Sequence, residues 1–133
     1  MTPNVGTQVP EIERTADAVD LFMFSASAWL LHRIHYDLPY TTQEEAHPGL
    51  LIHGPLQGTY IMQAAQWWLG DDARLKSITY RHKAPAYLGD TLMCGGEVTE
   101  VTAGTIAVDV WAKTSDGTVT TEGRATFSIG EDS

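Results

Sequence analysis

A chain of 133 residues with 43% hydrophobic content predicts one domain, residues 1–133, built round a packed core. A formal net charge of −9 repels nucleic acid and anionic membranes, which excludes both as partners. No apolar run is long enough to cross a bilayer, no basic-then-apolar leader opens the chain, and the single cysteine, Cys94, has no mate for an intramolecular disulfide, so the expected location is the cytoplasm.

Residues 1–7 are polar and predicted to be flexible. Gln8–Thr15 holds a Glu-Ile-Glu-Arg alternation, which predicts an edge strand. Thr15 and Asp17 suit the cap of a helix running from Ala18 to Ala28. Val19, Phe22, Met23, Ala26 and Trp29 or Leu30 recur at helical spacing as its expected buried face. From Trp29 to Asp37, two histidines, an arginine, a tyrosine and an aspartate are set among apolar residues. Thr41–Ala46 reads as a polar surface turn or short helix.

The stretch His47–Gly70 predicts a loop, a helix and a stop. Gly54 suits the N-cap and Pro55 the first helical position, where its missing N–H loses nothing. Gly70 suits a left-handed C′ residue. The body between them is apolar nearly all round, which predicts a buried helix. After Asp72 the period changes to two. Leu75–Ala84, Thr91–Val101, Thr105–Lys113 and Thr118–Ile129 read as strands of an antiparallel meander, with hairpin signals at Ala103-Gly104 and Ser115–Gly117. Pro85 marks a bend or an edge between the first two. Ile106, Val108, Val110 and Ala112 share one face. The expected class is α+β, with a sheet curled round one helix.

That arrangement resembles the hot-dog fold. Three runs carry a closer likeness: His32–Asp37 (H-R-I-H-Y-D), Pro48–Leu56 (P-G-L-L-I-H-G-P-L) and Ala84–Leu92 (A-P-A-Y-L-G-D-T-L). They resemble the MaoC-type hydratase/dehydratase family. The resemblance implies water added to, or lost from, the Cα–Cβ bond of an acyl thioester carried by coenzyme A or acyl-phosphopantetheine, with no other cofactor. It implies a histidine and an aspartate at D-x-x-x-x-H spacing as acid/base pair, and backbone amides at the central helix start for the thioester oxygen. His35 falls on the family's histidine, and Leu30 stands five positions earlier, where the family has Asp or Asn. The acid/base work then falls to His35 alone, to His35 with Asp37, or to neither.

The residues themselves suit parts of this chemistry. Imidazole serves as a base near neutral pH, and the Gly54–Pro55 helix start offers amides without intrahelical partners and no Cβ to fend off a carbonyl. The catalytic candidates are His35, Asp37 and Gly54. The substrate-binding candidates are Leu30, Arg33, Tyr36, His53, Pro55, Leu56 and Arg81. Each has a plainer alternative: His35 as a core histidine bonded to a carbonyl, Asp37 as a helix cap, His53 as a structural residue. Arg33 suits a carrier phosphate. The run Arg81-His82-Lys83 is either a solvated strand face or a landing place for such phosphates. His32-x-x-His35 with Glu44, Glu45 and His47 matches no strong metal-ligand spacing, so no metal is expected.

A hot-dog thioesterase is the rival reaction, but the predicted central helix offers Gln57, Gln63 and Gln66 and no carboxylate. A non-catalytic subunit of a heteromeric MaoC-like hydratase is the other alternative, favoured by Leu30. A small curled sheet leaves an edge to be covered, which predicts a homodimer or a heteromer with another hot-dog subunit.

Overall fold

The computed structural model describes residues 3–130. Five strands form one antiparallel sheet: β1 (Gln8–Thr15), β2 (Arg74–His82), β3 (Thr91–Thr102), β4 (Thr105–Lys113) and β5 (Val119–Ser128). Their order across the sheet is β1-β3-β4-β5-β2. The helices are α1 (Ala18–Ala28), α2 (Leu38–Gln43) and α3 (Gly54–Leu69), with a 3-10 turn at Arg33–His35. At 16 residues, α3 spans about 24 Å and touches all five strands, so the sheet wraps round it as a hot-dog fold requires.

Period two explains the wrap. Ile106, Val108, Val110 and Ala112 of β4 are buried, and they join Leu92, Cys94 and Val98 of β3 and Ala125 and Phe127 of β5 in one core. Leu56, Ile61, Ala64 and Ala65 of α3 fill its centre. Cys94 behaves as a small apolar residue, since burial pushes its thiol up to about 12.

Several expectations are corrected. The four segments after Asp72 do not form a simple meander. Only β3, β4 and β5 do, while β2 pairs with β5 at the far edge and the Lys83–Asp90 connection carries the chain across to β3. Helix α1 begins as expected, with Asp17 and Asp20 forming a reciprocal capping box. Its buried residues are instead Leu21 and Ser25, while Val19, Phe22, Met23 and Trp29 are exposed. Periodicity identifies an apolar face but not which face the core takes. His53, rather than Gly54, is the N-cap of α3, and Gly54 is its first residue. Gly70 ends the helix at φ +89°. The helix is not buried all round: Pro55 and Trp67 are exposed, and Arg14 lies over the Trp67 ring at 4.5 Å.

Of the seven N-terminal residues expected to be flexible, residues 1–2 lie outside the described residues. Gly6 and Thr7 are bonded to Val98 through Gly6 N–H to Val98 O (2.8 Å) and Val98 N–H to Thr7 O (2.9 Å). No helix among the described residues is long and apolar enough to cross a membrane.

Ile61 is fully buried at the centre of the wrap. Ile61→Ala is expected to lower the unfolding free energy by about 2–5 kcal/mol in urea titration. A loss below about 0.5 kcal/mol contradicts its central position.

Candidate active site

The segment Leu50–Ile52 is tied on both sides by backbone hydrogen bonds. Leu51 N–H donates to Ile34 O (3.0 Å), Ile52 N–H to Ala86 O (2.8 Å), and Leu88 N–H to Leu50 O (2.8 Å). His35 closes the 3-10 turn beside it, and the His32 ring caps that turn by accepting from Ile34 N–H at 3.2 Å. His35 Nδ1 lies 2.9 Å from Leu51 O. A carbonyl only accepts, so Nδ1 carries the hydrogen and Nε2 keeps its lone pair. Nε2 has no partner among the described residues. Burial holds the His35 imidazole below its ordinary range, against the opposing bond to Leu51, with His32 lowering it further.

His53 backs this ring. The two imidazoles stack at 3.9 Å with 19° between planes, and Phe24 lies against His53 at 4.8 Å. His53 is fully buried, its Nε2 is 2.7 Å from Ser25 Oγ, and its Nδ1 has no partner among the described residues. Burial first, and the nearby His35 second, press its pKa down to about 4, so both rings are neutral at neutral pH.

His35 opens on a cleft of about 410 Å³ that is also lined by Gly54, Gln57, His82, Lys83 and Pro85. Gly54 begins α3, and Pro55 has no N–H, which leaves the Gly54 and Leu56 amides as the unpaired donors of the first turn. The hollow left by the missing Cβ of Gly54 is taken by His82: a Cβ there falls 2.0 Å from His82 Nε2. One turn along, a Cβ on Gly58 falls 2.7 Å from the Tyr80 ring. Alternate residues of β2 thus lean on two glycines one turn apart on α3. Gln57 Oε1 accepts from Thr120 Oγ1 (2.8 Å) and Thr121 Oγ1 (2.9 Å), and Thr121 Oγ1 is 3.0 Å from His82 Nδ1.

The chain matches the hydroxyacyl-thioester dehydratase type 2 family over residues 3–88, a span that holds His35, Gly54 and His82. It belongs to that family. It is 40% identical over 67 residues to the mesaconyl-C(4)-CoA hydratase of Chloroflexus aurantiacus, a match that covers 50% of this chain and 23% of that protein, so the match takes in about a quarter of the curated relative's length. Among solved structures, the (R)-hydratase from A. caviae involved in PHA biosynthesis superposes with a TM-score of 0.88 at 18% identity, over 97% of this chain and 98% of that one. The ChsH1–ChsH2 complex from Mycobacterium tuberculosis gives 0.86 at 22% identity, over 97% and 100%. At these identities the likeness is one of fold.

Within this member of the dehydratase family the expected site residues divide. His35 and Gly54 meet in the cleft. Asp37 is engaged elsewhere. Its carboxylate accepts from Tyr40 N–H (3.1 Å), which caps α2, and pairs with Arg33 at 2.8 Å; Tyr40 first and Arg33 second hold it below the usual carboxylate range. Arg33 also covers the Tyr40 ring at 4.2 Å and lines a separate hollow with Asp37 and Tyr40, not the cleft. Tyr36 is exposed, donates to Leu31 O and meets Phe22 edge-on. Leu30 is half-buried at the end of α1, and its N–H donates to Ser25 O at 3.0 Å. Arg81 is exposed and pairs with Glu122 at 3.2 Å. The Leu56 side chain packs in the core, Pro55 faces out, and His53 stands behind His35 rather than on the cleft surface. His82, expected only as part of the cationic Arg81-His82-Lys83 run, lines the cleft without having been singled out as a site residue. Period two along β2, which places it on the same face as Tyr80, was the available signal.

The two neutral histidines make stability depend on pH. In the unfolded chain His53 takes a proton near 6.5, whereas in the folded protein it resists until about 4. Between those values the unfolded state holds more protons, so stability falls as pH drops from about 6.5 to about 4, and His35 contributes with the same sign. Urea unfolding at stepped pH is expected to show that slope, and His53→Phe to flatten part of it. Constant stability across the window contradicts the buried neutral pair.

Proposed function

We propose that the chain interconverts enoyl and 3-hydroxyacyl thioesters by adding and removing water at the Cα–Cβ bond. The observation that carries this reading is the bare Nε2 of His35, held by the Leu51 carbonyl, in the same cleft as the open start of α3. In hydration, His35 Nε2 takes the proton of the water that attacks Cβ. The Gly54 and Leu56 amides receive the negative charge that moves onto the thioester oxygen, at the positive end of the helix dipole. Asp37 serves by building the 3-10 turn and α2 rather than by moving a proton. The chemistry needs no cofactor beyond the thioester, carried on coenzyme A or acyl-phosphopantetheine. No carboxylate among the described residues lines the cleft, which favours water addition over the hydrolysis a thioesterase performs.

A partner subunit of the same fold belongs to this reading. Among the described residues the outer edges of β1 and β2 are unpaired, and Val19, Phe22, Met23 and Trp29 leave an apolar face on α1. A similar solved structure, ChsH1–ChsH2, is a two-component complex. Leu30 favours a second reading, in which this chain is the non-catalytic half of such a pair.

Crotonyl-CoA separates these readings, with absorbance at the double bond and release of free thiol followed together. Wild type is expected to consume the double bond without releasing thiol, and His35→Ala to lower the rate at least about 10²-fold. Thiol release supports hydrolysis instead. Inert wild type, with His35→Ala fully active in complex with a partner, supports the non-catalytic half.

A further inference from the structure

We propose that His82 is the second proton-handling residue of the site, delivering hydrogen to Cα in hydration and removing it in dehydration. The inference rests on the hydratase reading above. Hydration places two hydrogens, one leaving the attacking water near Cβ and one arriving at Cα. His35 accounts for the first. Leu30 and Asp37 leave the second unassigned, because Leu30 carries no proton and Asp37 is held by Tyr40 and Arg33. The cleft lining offers three groups that carry exchangeable protons on nitrogen cations or rings: His35, Lys83 and His82. Lys83 stands 3.6 Å from the Glu122 carboxylate.

Position favours His82. Its Nε2 lies over Gly54, so close that a Cβ there falls 2.0 Å away. A thioester oxygen on the α3 amides sets its carbonyl carbon beside this point, and Cα is bonded to that carbon. Hydrogen bonding also fixes the ring. Gln57 Nε2 faces Ile52 O at 3.4 Å, which leaves Gln57 Oε1 to accept from Thr121 Oγ1 at 2.9 Å. The single hydrogen of Thr121 is thereby used, so its oxygen accepts from His82 Nδ1–H at 3.0 Å. Nε2 is then the nitrogen free to gain and lose a proton in the cleft. The ring is solvent-exposed, which lets it exchange protons with water between turnovers. The other titratable groups facing it are His35 and Lys83 in the cleft and Tyr80, whose ring is 5.7 Å away.

The step balances. Water oxygen bonds to Cβ as its proton passes to His35 Nε2. The double-bond pair moves to give an enolate held by the helix amides. The enolate then collapses as Cα takes the proton from His82 Nε2–H. His35 releases its proton to solvent and His82 takes one back.

Wild type, His82→Gln and His82→Ala are compared on crotonyl-CoA at saturating substrate. His82 is exposed on an edge strand but packs on Gly54 and bonds Thr121, so the melting temperatures of both variants are expected to fall only modestly and the variants to stay folded at the assay temperature. Both variants are expected to lose at least about 10² in kcat, with KM within about threefold, and free imidazole to restore part of the His82→Ala rate. Wild-type hydration with His82→Gln within about twofold of it overturns the inference and leaves the hydratase reading standing. So does an effect confined to KM, or a kcat loss that imidazole leaves unchanged. Wild type without hydration overturns the hydratase reading and this inference with it.

Discussion

The site hangs from one short piece of extended backbone, Leu50–Ile52, strung between the Arg33–His35 turn and the Ala86–Leu88 connection. Leu51 bonds in both directions to the turn: its N–H goes to Ile34 O and its carbonyl receives His35 Nδ1–H. Ile52 bonds the other way, to Ala86 O. The next two residues are His53, stacked on His35, and Gly54, the open end of α3. His35 is bonded to the Leu51 carbonyl and Gly54 begins α3 just after Ile52, so this one piece of backbone sets the spacing between the imidazole and the helix start. A carbonyl also orients an imidazole without bringing a second titrating group. On the proposed hydratase reading, this carbonyl stands in for the acid or amide that the family resemblance implies at Leu30.

The other wall is set by glycine. Gly54 and Gly58 lie one turn apart on the α3 face that meets β2, and His82 and Tyr80 alternate along β2 to fill the two hollows. The buried Gln57 lies between the glycines and joins the layers by accepting from both Thr120 and Thr121 of β5, a paired arrangement that leaves its oxygen satisfied. Wrapping the sheet round α3 carries an edge strand, exposed along most of its length, to the N-terminus of α3.

What was legible in the sequence follows range of interaction. The limits of α1 and β4 are written in local signals: the Asp17 cap, the Ala103-Gly104 turn and the alternation from Ile106 to Ala112. His35 and Gly54 were legible because their motifs are contiguous. The face that α1 buries was not, since the exposed Val19, Phe22 and Met23 are as periodic as the buried Leu21 and Ser25. Asp37 fits a cap and a catalytic carboxylate equally by type, and only Tyr40 N–H and Arg33 decide between them. The crossing of β2 to β5 and the placing of His82 against Thr121 and Gly54 depend on pairings far apart in the chain; the period two of β2 gives the face His82 shares with Tyr80 but not what that face meets.

The Leu51 carbonyl, in place of a carboxylate, holds His35 with Nε2 bare. Nitrogen-15 NMR of histidine-labelled protein at pH about 7.5 tests it directly, because protonated and bare ring nitrogens are distinguished by shift and by one-bond coupling to hydrogen. The expected result is a neutral His35 with the hydrogen on Nδ1 and a bare Nε2. A neutral ring with its hydrogen on Nε2, or an imidazolium at that pH, contradicts it.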